Sequence, residues 1–207
     1  MKNGIFFVLG GSKSGKTAFA DGLAKKIGKR TVFIATAKEK DDEMKERIAK
    51  YQAKSPDSWH LIDAPEKVAE AIRSCKGQTD VIIVDCMTLL VRNLMMQNLG
   101  WFQEDEKPDI IGYETFIENE IKKVLEAASE INGLVIFVSD EIGEGLKPET
   151  KLSKFYGDLV GRMNQQVAAF ADKVFLLTCG LALELKSQSV SIDQVVMDLV
   201  SDNIQDF

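Results

Sequence analysis

Eight residues near the start of the chain, Gly10 to Thr17, read GGSKSGKT and carry the most specific chemical pattern in the sequence. Glycines at this spacing let successive backbone N–H groups turn inward next to the positive end of a helix dipole, where phosphate oxygens bind. Lys16 would reach the β- and γ-phosphates, and the hydroxyl of Thr17 would be a ligand of Mg²⁺. The pattern therefore predicts a site for a nucleoside triphosphate. The predicted contacts with the nucleotide are Gly10, Gly11, Ser12, Lys13, Ser14, Gly15, Lys16 and Thr17.

The flanking sequence supplies the two elements that must position such a loop. The apolar run Ile5–Leu9 precedes it and has the length of a buried strand, and the helical pattern Thr17–Ile27 follows it. The alternative is a chance glycine-rich turn before a helix. A strand and a helix on the two sides of the motif favour phosphate binding over that alternative.

Short apolar runs rich in β-branched or aromatic residues recur along the chain and alternate with amphipathic helical patterns. This alternation indicates a mostly parallel sheet with helices on both faces, and hence an α/β fold. The predicted strands are Ile5–Leu9, Thr31–Ala35, Val81–Val84, Leu134–Val138 and Val174–Thr178. The predicted helices are Thr17–Ile27, Asp41–Lys54, Glu66–Ser74, Tyr113–Ile131 and Leu152–Ala171.

Acidic residues follow two of the predicted strands, at the carboxyl ends where ligands bind in such sheets. Asp85 follows the run Val81–Val84, and its carboxylate could hold the Mg²⁺ or one of its waters; the alternative is an ordinary acid at a turn. Asp140 and Glu141 follow another strand in an acidic, glycine-bearing segment that could approach a ligand; the alternative is an ordinary strand-to-helix turn. Either carboxylate is a candidate general base, and the sequence assigns the role to neither.

The overall composition limits the range of functions. The chain has 207 residues, of which 45% are hydrophobic and 28% charged, and this suits one globular domain. A net charge of −6 argues against broad binding to nucleic acid, which needs clustered lysine and arginine. Three widely spaced cysteines form no Cys-x-x-Cys pair, and no apolar stretch has the length of a transmembrane helix. We therefore expect a cytoplasmic protein with no membrane span and no nucleic-acid partner.

Two further patterns lie in the second half of the chain. Gly161 falls inside a helical pattern, where glycine is less stable than alanine. Close packing against Gly161 would explain why glycine stands there, and Arg162 and Asn164 would then face a site or a subunit interface. Beyond position 187, apolar residues recur at the spacing of a short amphipathic helix that would lie on the domain or on a neighbouring subunit. We divide the chain into a nucleotide-binding domain over residues 1–186 and a C-terminal extension over residues 187–207.

Several segments, taken together and in order, resemble the bifunctional adenosylcobinamide kinase / adenosylcobinamide-phosphate guanylyltransferase family of cobalamin biosynthesis, often called CobU. The resemblance extends from about Phe6 to Lys186, and DDEMKERI together with GRMNQ is more specific than the phosphate loop. The matching stretches are GGSKSGKT, IATA, DDEMKERI, Pro56-x-x-Trp59, VDCMTLLVRNL, VSDEIGEGLKPE and DLVGRMNQQVAAFAD.

The resemblance implies a fold, an assembly and two reactions. The fold would be a RecA-like P-loop NTPase domain, assembled as a homotrimer with nucleotide sites near the subunit boundaries. The enzyme would phosphorylate the aminopropanol hydroxyl of adenosylcobinamide with GTP or ATP, and would then transfer GMP from GTP to adenosylcobinamide phosphate. By position, the further nucleotide-site residues would be Ala35, Thr36, Ala37, Asp63 and Asp85.

One position departs from the family pattern. The family carries GMP on a histidine that follows Arg-Ile after two residues, whereas here Arg47-Ile48-Ala49-Lys50 leads to Tyr51. A phenol with a pKa of about 10 is mostly protonated at neutral pH, and its phosphodiester is a poorer GMP donor than a phosphoramidate. The single histidine of the chain, His60, lies nine residues later. Three interpretations stay open: the transferase step is lost and kinase activity or nucleotide binding remains, Tyr51 or His60 takes over the role, or the protein is a diverged relative with another substrate or a regulatory role.

Overall fold

The structure, a computed structural model, describes residues 3–28, 30–38, 59–97, 110–143 and 150–197. Seven strands in these ranges form one sheet in the order β3-β2-β4-β5-β1-β6-β7. The strands are β1 Gly4–Gly10, β2 Thr31–Ala35, β3 Trp59–Asp63, β4 Val81–Asp85, β5 Leu134–Asp140, β6 Lys173–Thr178 and β7 Leu181–Glu184. The helices are α1 Lys16–Ile27, α2 Val68–Ser74, α3 Met87–Gln97, α4 Ile110–Ser129 and α5 Lys151–Phe170, and residues 192–197 form one further short helix.

The sheet is parallel except at one edge, where β7 runs antiparallel to β6. Its central strands are covered on both sides, and every residue of β2 and β4 is buried. Burial on both faces requires apolar residues at consecutive positions, which is the pattern that the sequence shows. The predicted α/β fold with a mostly parallel sheet is confirmed.

The helices lie in two layers, one on each face of the sheet, and each layer packs on the sheet through its own hydrophobic core. Helix α1 packs on one face, where Ala20 and Ala24 join a core with Val8, Ile83 and Ile136 from the sheet. Helices α2 to α5 contribute to a larger core on the other face. The helix that follows the phosphate loop is therefore separated by the sheet from helices α2 to α5.

The sequence does not predict three of the elements, and each omission has a physical reason. Strand β3 lies at one edge of the sheet and is only partly buried, so that it lacks a continuous apolar run. Strand β7 has four residues and forms the opposite, antiparallel edge. Helix α3 begins two residues after the end of β4, and its apolar sequence merges with that of the strand. The predicted helix Asp41–Lys54 lies outside the described residues.

The C-terminal extension forms its short helix without burying it. The side chains of Ile192 and Val196 are 83% and 51% exposed, so that a single chain leaves this apolar surface uncovered. None of the helices in the described part of the chain is long and apolar enough to cross a membrane.

Candidate functional site

The phosphate loop joins β1 to α1 in a conformation that its glycines make possible. A Cβ atom on Gly10 would lie 2.4 Å from the carbonyl oxygen of Leu177 and 2.6 Å from the hydroxyl of Ser14. Gly15, which caps α1, has a φ of 104°, a value that side-chain-bearing residues rarely adopt. Lys13 also has a positive φ, of 56°. The fold of the loop therefore requires glycine at positions 10 and 15 before any ligand is considered.

Lys16 extends back along this loop. Its Nζ atom donates to the carbonyl oxygens of Gly10 at 2.9 Å and Gly11 at 2.7 Å. The same atom lies 2.9 Å from Oδ1 of Asp140. Lys16 is only 8% exposed, because it begins α1 beneath the loop. A buried ammonium at the start of a helix, below a curled backbone, is suited to neutralise phosphate charge.

Thr17 and Asp85 meet at the carboxyl edge of the sheet. The hydroxyl of Thr17 donates to Oδ2 of Asp85 at 2.8 Å, and Asp85 is buried at the end of β4. Mg²⁺ in nucleotide sites is held by one or two carboxylates, hydroxyl or water oxygens and the phosphates themselves. The paired oxygens of Thr17 and Asp85 fit that donor set. The described residues hold no cluster of three or more histidine, cysteine or acidic side chains that could bind a metal without a nucleotide.

The order of the strands places Asp140 between the two halves of this site. Strand β5 lies between β1 and β4, and Asp140 is in register with Gly10. Asp140 contacts Lys16, whereas the carboxylate of Glu141 accepts a hydrogen bond from the backbone of Gly143 at 2.7 Å. The structure therefore separates two neighbouring acids that the sequence leaves equivalent.

Thr36 connects the end of β2 to the end of β4. Its hydroxyl donates to the carbonyl oxygen of Cys86 at 2.7 Å and accepts from the N–H of Cys86 at 2.8 Å. The amide of Asn93 donates to the carbonyl oxygens of Thr36 at 2.7 Å and Pro65 at 2.8 Å. Thr36 and Ala35 are buried and Ala37 is half-buried. Ala35 is in register with Asp85 on the neighbouring strand, so that this segment packs beside Asp85. Sequence reasoning missed Asn93. A single asparagine among the apolar residues of a helix is a signal that its side chain forms buried hydrogen bonds to neighbouring backbone groups.

The remaining predicted residues lie further from this cluster. Asp63 ends β3 at the same edge of the sheet, in register with Ala35, and is exposed. His60 is exposed on β3 and lies three residues, or about 10 Å, before the end of that strand. Tyr51 lies outside the described residues. The structure thus brings together Lys16, Thr17, Asp85 and Asp140, and leaves Asp63 apart at the sheet edge.

The GRMNQ segment of α5 divides its side chains between two environments. Asn164 is buried and donates to the carbonyl oxygen of Asp140 at 3.1 Å, so that it lies beside the candidate site. Arg162 instead pairs with Glu114 of α4 at 2.7 Å. The expected close packing at Gly161 does not occur within one chain, because an added Cβ atom there would meet nothing within 4 Å.

Tyr156 supports the same network from α5. Its hydroxyl donates to the carbonyl oxygen of Thr88 at 3.0 Å. Burial raises the pKa of the Tyr156 phenol well above its usual value. Electrostatic repulsion from the nearby acidic groups of Cys86 and Asp140 raises this pKa further. The phenol therefore stays protonated and remains a hydrogen-bond donor across the neutral range.

Comparison with known proteins gives this arrangement a family. Residues 6–185 match the family described as cobinamide kinase / cobinamide phosphate guanyltransferase, CobU. The chain belongs to this family. It is 31% and 32% identical, over 184 residues, to the bifunctional adenosylcobalamin biosynthesis proteins CobU of Escherichia coli strain K12 and Salmonella typhimurium strain LT2, with 88% of this chain and 99% of each relative covered. The bifunctional adenosylcobalamin biosynthesis protein CobP of Pseudomonas aeruginosa strain PAO1 is 33% identical over 181 residues, which cover 87% of this chain and 96% of that relative.

The family match confirms the resemblance noted from the sequence, and a solved structure confirms the fold. The fold resembles that of a structure described as a prototypical ATPase from the type III secretion system of pathogenic bacteria. The TM-score is 0.53 at 12% identity, and the similar region covers 93% of this chain and 60% of the other. The matched family region ends at residue 185, so that the whole C-terminal extension lies beyond it.

Proposed function

We propose that the protein is an enzyme of cobalamin biosynthesis that transfers the γ-phosphoryl group of GTP or ATP to the aminopropanol hydroxyl of adenosylcobinamide. The observation that carries this proposal is the assembly of Lys16, Thr17 and Asp85 around one phosphate loop in a chain of the cobinamide kinase family. These residues suit phosphoryl transfer because that reaction needs positioning and charge neutralisation more than covalent chemistry.

Each residue of the cluster has a distinct task in this proposal. Lys16 and the backbone of Gly10–Thr17 bind the phosphates, and Lys16 neutralises charge that develops on the transferring group. Thr17 and Asp85 would hold Mg²⁺, which supplies charge neutralisation at the phosphate oxygens. The acceptor oxygen forms a bond to the γ-phosphorus and its proton passes to water, the bond from that phosphorus to the bridging oxygen breaks, and the nucleoside diphosphate leaves.

The nucleotide contacts beyond the loop belong to the same proposal. Ala35, Thr36 and Ala37 follow β2 beside Asp85, and Asp63 ends the neighbouring strand, where each could contact the nucleoside. A phosphate loop binds phosphates and does not distinguish guanine from adenine, so that both GTP and ATP are proposed as donors.

The second reaction of the family is the transfer of GMP to adenosylcobinamide phosphate, and Tyr51 bears directly on it. We infer that this step is lost, because Tyr51 stands where the family has its guanylylated histidine. The position of His60 near the amino end of an edge strand, rather than at its carboxyl end, supports this inference. The replacement also favours a second candidate function, a diverged nucleotide-binding protein with a regulatory role or another small-molecule substrate.

The first test of the proposal is a phosphoryl-transfer assay. The protein is incubated with adenosylcobinamide, Mg²⁺ and γ-labelled GTP or ATP, and the corrinoid product is separated and counted. We expect labelled adenosylcobinamide phosphate from the wild type and none from Lys16→Met. A folded wild-type protein that binds the nucleotide but gives no labelled corrinoid would support the regulatory alternative instead.

A second assay addresses the guanylyl step. The protein is treated with α-labelled GTP and denatured, and covalently bound GMP is measured. We expect no label. An acid-labile label that disappears in His60→Ala would assign the role to His60, and an acid-stable label that disappears in Tyr51→Phe would assign it to Tyr51.

We further infer a cytoplasmic location and a homotrimeric assembly. Cys75, Cys86 and Cys179 form no disulfide, as is usual for a reducing compartment. The exposed apolar side chains of Leu181 on β7 and Ile192 in the extension provide surface that an assembly could cover. Sedimentation equilibrium tests the trimer, for which the family resemblance is the main support.

A further inference from the structure

The ammonium group of Lys16 has a full set of protein partners. A lysine side chain has three N–H donors, and Nζ of Lys16 lies within hydrogen-bonding distance of three acceptors. These are the carbonyl oxygens of Gly10 and Gly11, at 2.9 and 2.7 Å, and Oδ1 of Asp140, at 2.9 Å. A phosphate oxygen that binds Lys16 must therefore replace at least one of them.

Asp140 differs from the two carbonyl groups in its charge and in its access to water. Its carboxylate is negative, and its side chain is 37% exposed, whereas that of Lys16 is 9% exposed. A triphosphate in the loop would repel this carboxylate and would not repel the carbonyl groups to the same degree. Once released, the carboxylate can be hydrated, so that the contact with Asp140 is the one that nucleotide binding should break.

Buried side chains from two helices fix the backbone of Asp140. Its N–H group donates to the hydroxyl of Thr88 on α3 at 2.7 Å, and its carbonyl oxygen accepts from the amide of Asn164 on α5 at 3.1 Å. The hydroxyl of Thr88 also lies 2.9 Å from that of Ser139. Thr88 and Asn164 are both buried, and strand pairing with Gly10 holds the same residue from a third side. These contacts fix the backbone of Asp140, so that its carboxylate is held close to Lys16.

We propose that Asp140 is the internal competitor of the nucleotide phosphates for Lys16, and that Thr88 and Asn164 are the positioning residues that hold it there. Asp140 sets the nucleotide affinity by pairing with Lys16 whenever the phosphates do not. The inference rests on the proposed nucleotide site, but it does not depend on which acceptor receives the phosphoryl group.

The primary test compares the affinity for GTP and ATP, with Mg²⁺, of the wild type and Asp140→Asn by isothermal titration calorimetry. Removal of a partly exposed competing charge should tighten binding by about three- to tenfold. Asp193→Asn, in the extension beyond the family match, makes the same change in net charge and should leave the affinity unchanged. Unchanged or weaker binding by Asp140→Asn would overturn the proposal.

A double-mutant cycle with Lys16→Met separates competition for Lys16 from simple repulsion between Asp140 and the phosphates. Titrations are carried into the millimolar range, and circular dichroism verifies that each variant is folded. If Asp140 acts through Lys16, Asp140→Asn should not tighten binding in the Lys16→Met background. An equal gain in both backgrounds would show direct repulsion and would overturn the proposed competition.

Thr88→Val tests the positioning role, because valine keeps the shape and removes the hydroxyl. It should tighten nucleotide binding in the wild-type background by loosening Asp140, and should have no further effect on affinity in Asp140→Asn. A purely structural role would lower stability equally in both backgrounds without changing the affinity, and would contradict the assignment. Loss of cobinamide phosphorylation with these affinities intact would count against the proposed function alone.

Discussion

The hydroxyl of Thr17 lies 2.8 Å from the carboxylate of Asp85, although 68 residues separate them in the chain. The contact joins the start of α1 to the end of β4, and it does so across β5, which lies between β1 and β4 in the sheet. The two oxygens that we assign to Mg²⁺ are therefore brought together by the topology of the sheet rather than by a local motif.

The first prediction concerns Mg²⁺. Asp85→Asn keeps the shape of the side chain but removes the charge that favours the cation, so that the gain in nucleotide affinity due to Mg²⁺ should fall by roughly tenfold or more. Titrations of GTP with Mg²⁺ and with EDTA measure that gain. Asp63→Asn makes the same change at the carboxyl end of another strand, and it should keep the full gain in nucleotide affinity due to Mg²⁺. A normal Mg²⁺ effect in Asp85→Asn would contradict the assignment.

The second prediction concerns the backbone of the phosphate loop. Gly10→Ala places a Cβ atom 2.4 Å from the carbonyl oxygen of Leu177, so that the strand or the loop must shift. We expect the free energy of unfolding to fall by about 2 kcal/mol. Gly11→Ala is the matched control, since its added Cβ atom would meet nothing within 4 Å, and its stability should change by less than about 0.5 kcal/mol. Urea denaturation of the two variants decides the matter, and equal stabilities would count against the described loop.

The third prediction concerns the pH dependence of stability. Because burial raises the pKa of Tyr156 in the folded state, its contribution is complete below the unfolded pKa of about 10 and is lost as the pH rises above that value. Near pH 8, Tyr156→Phe should be less stable than the wild type by about 1 kcal/mol, the value of one hydrogen bond. By about pH 11 the wild type should have lost roughly 1.4 kcal/mol through this group, so that the difference should have passed through zero and Tyr156→Phe should be the slightly more stable protein.

Chemical denaturation of both proteins across that pH range measures the third prediction. The readout is the difference between the two free energies of unfolding, which removes the contributions of other titrating groups. A difference that stays constant from neutral to alkaline pH would mean that the Tyr156 phenol titrates equally in the folded and unfolded chains.

Sequence reasoning succeeds here where one local property decides the structure. The strand Thr31–Ala35 is predicted with its observed bounds because all of its residues are buried. The phosphate loop is predictable because its glycines, lysine and threonine act within one turn of chain. Strand β3 escapes prediction because an edge strand does not need a continuous apolar run.

The links between strand ends could not be predicted, because they depend on the order of the strands. Thr88 and Asn164 reach Asp140 from 52 and 24 residues away in the chain, and nothing in their local sequence indicates this partner. The sequence leaves Asp140 and Glu141 equivalent for the same reason. Only the position of β5 beside β1 brings Asp140 to Lys16.

The most direct test of the central claim uses GTP labelled with one phosphorus isotope at the α-position and another at the γ-position. The protein is incubated with this nucleotide, Mg²⁺ and adenosylcobinamide, and the corrinoid fraction is analysed for both labels beside Lys16→Met. We predict a corrinoid that carries the γ-label alone from the wild type, and an unlabelled corrinoid from the variant. A corrinoid with both labels would show that guanylyl transfer survives with Tyr51, and a corrinoid with neither label would contradict the proposed kinase function.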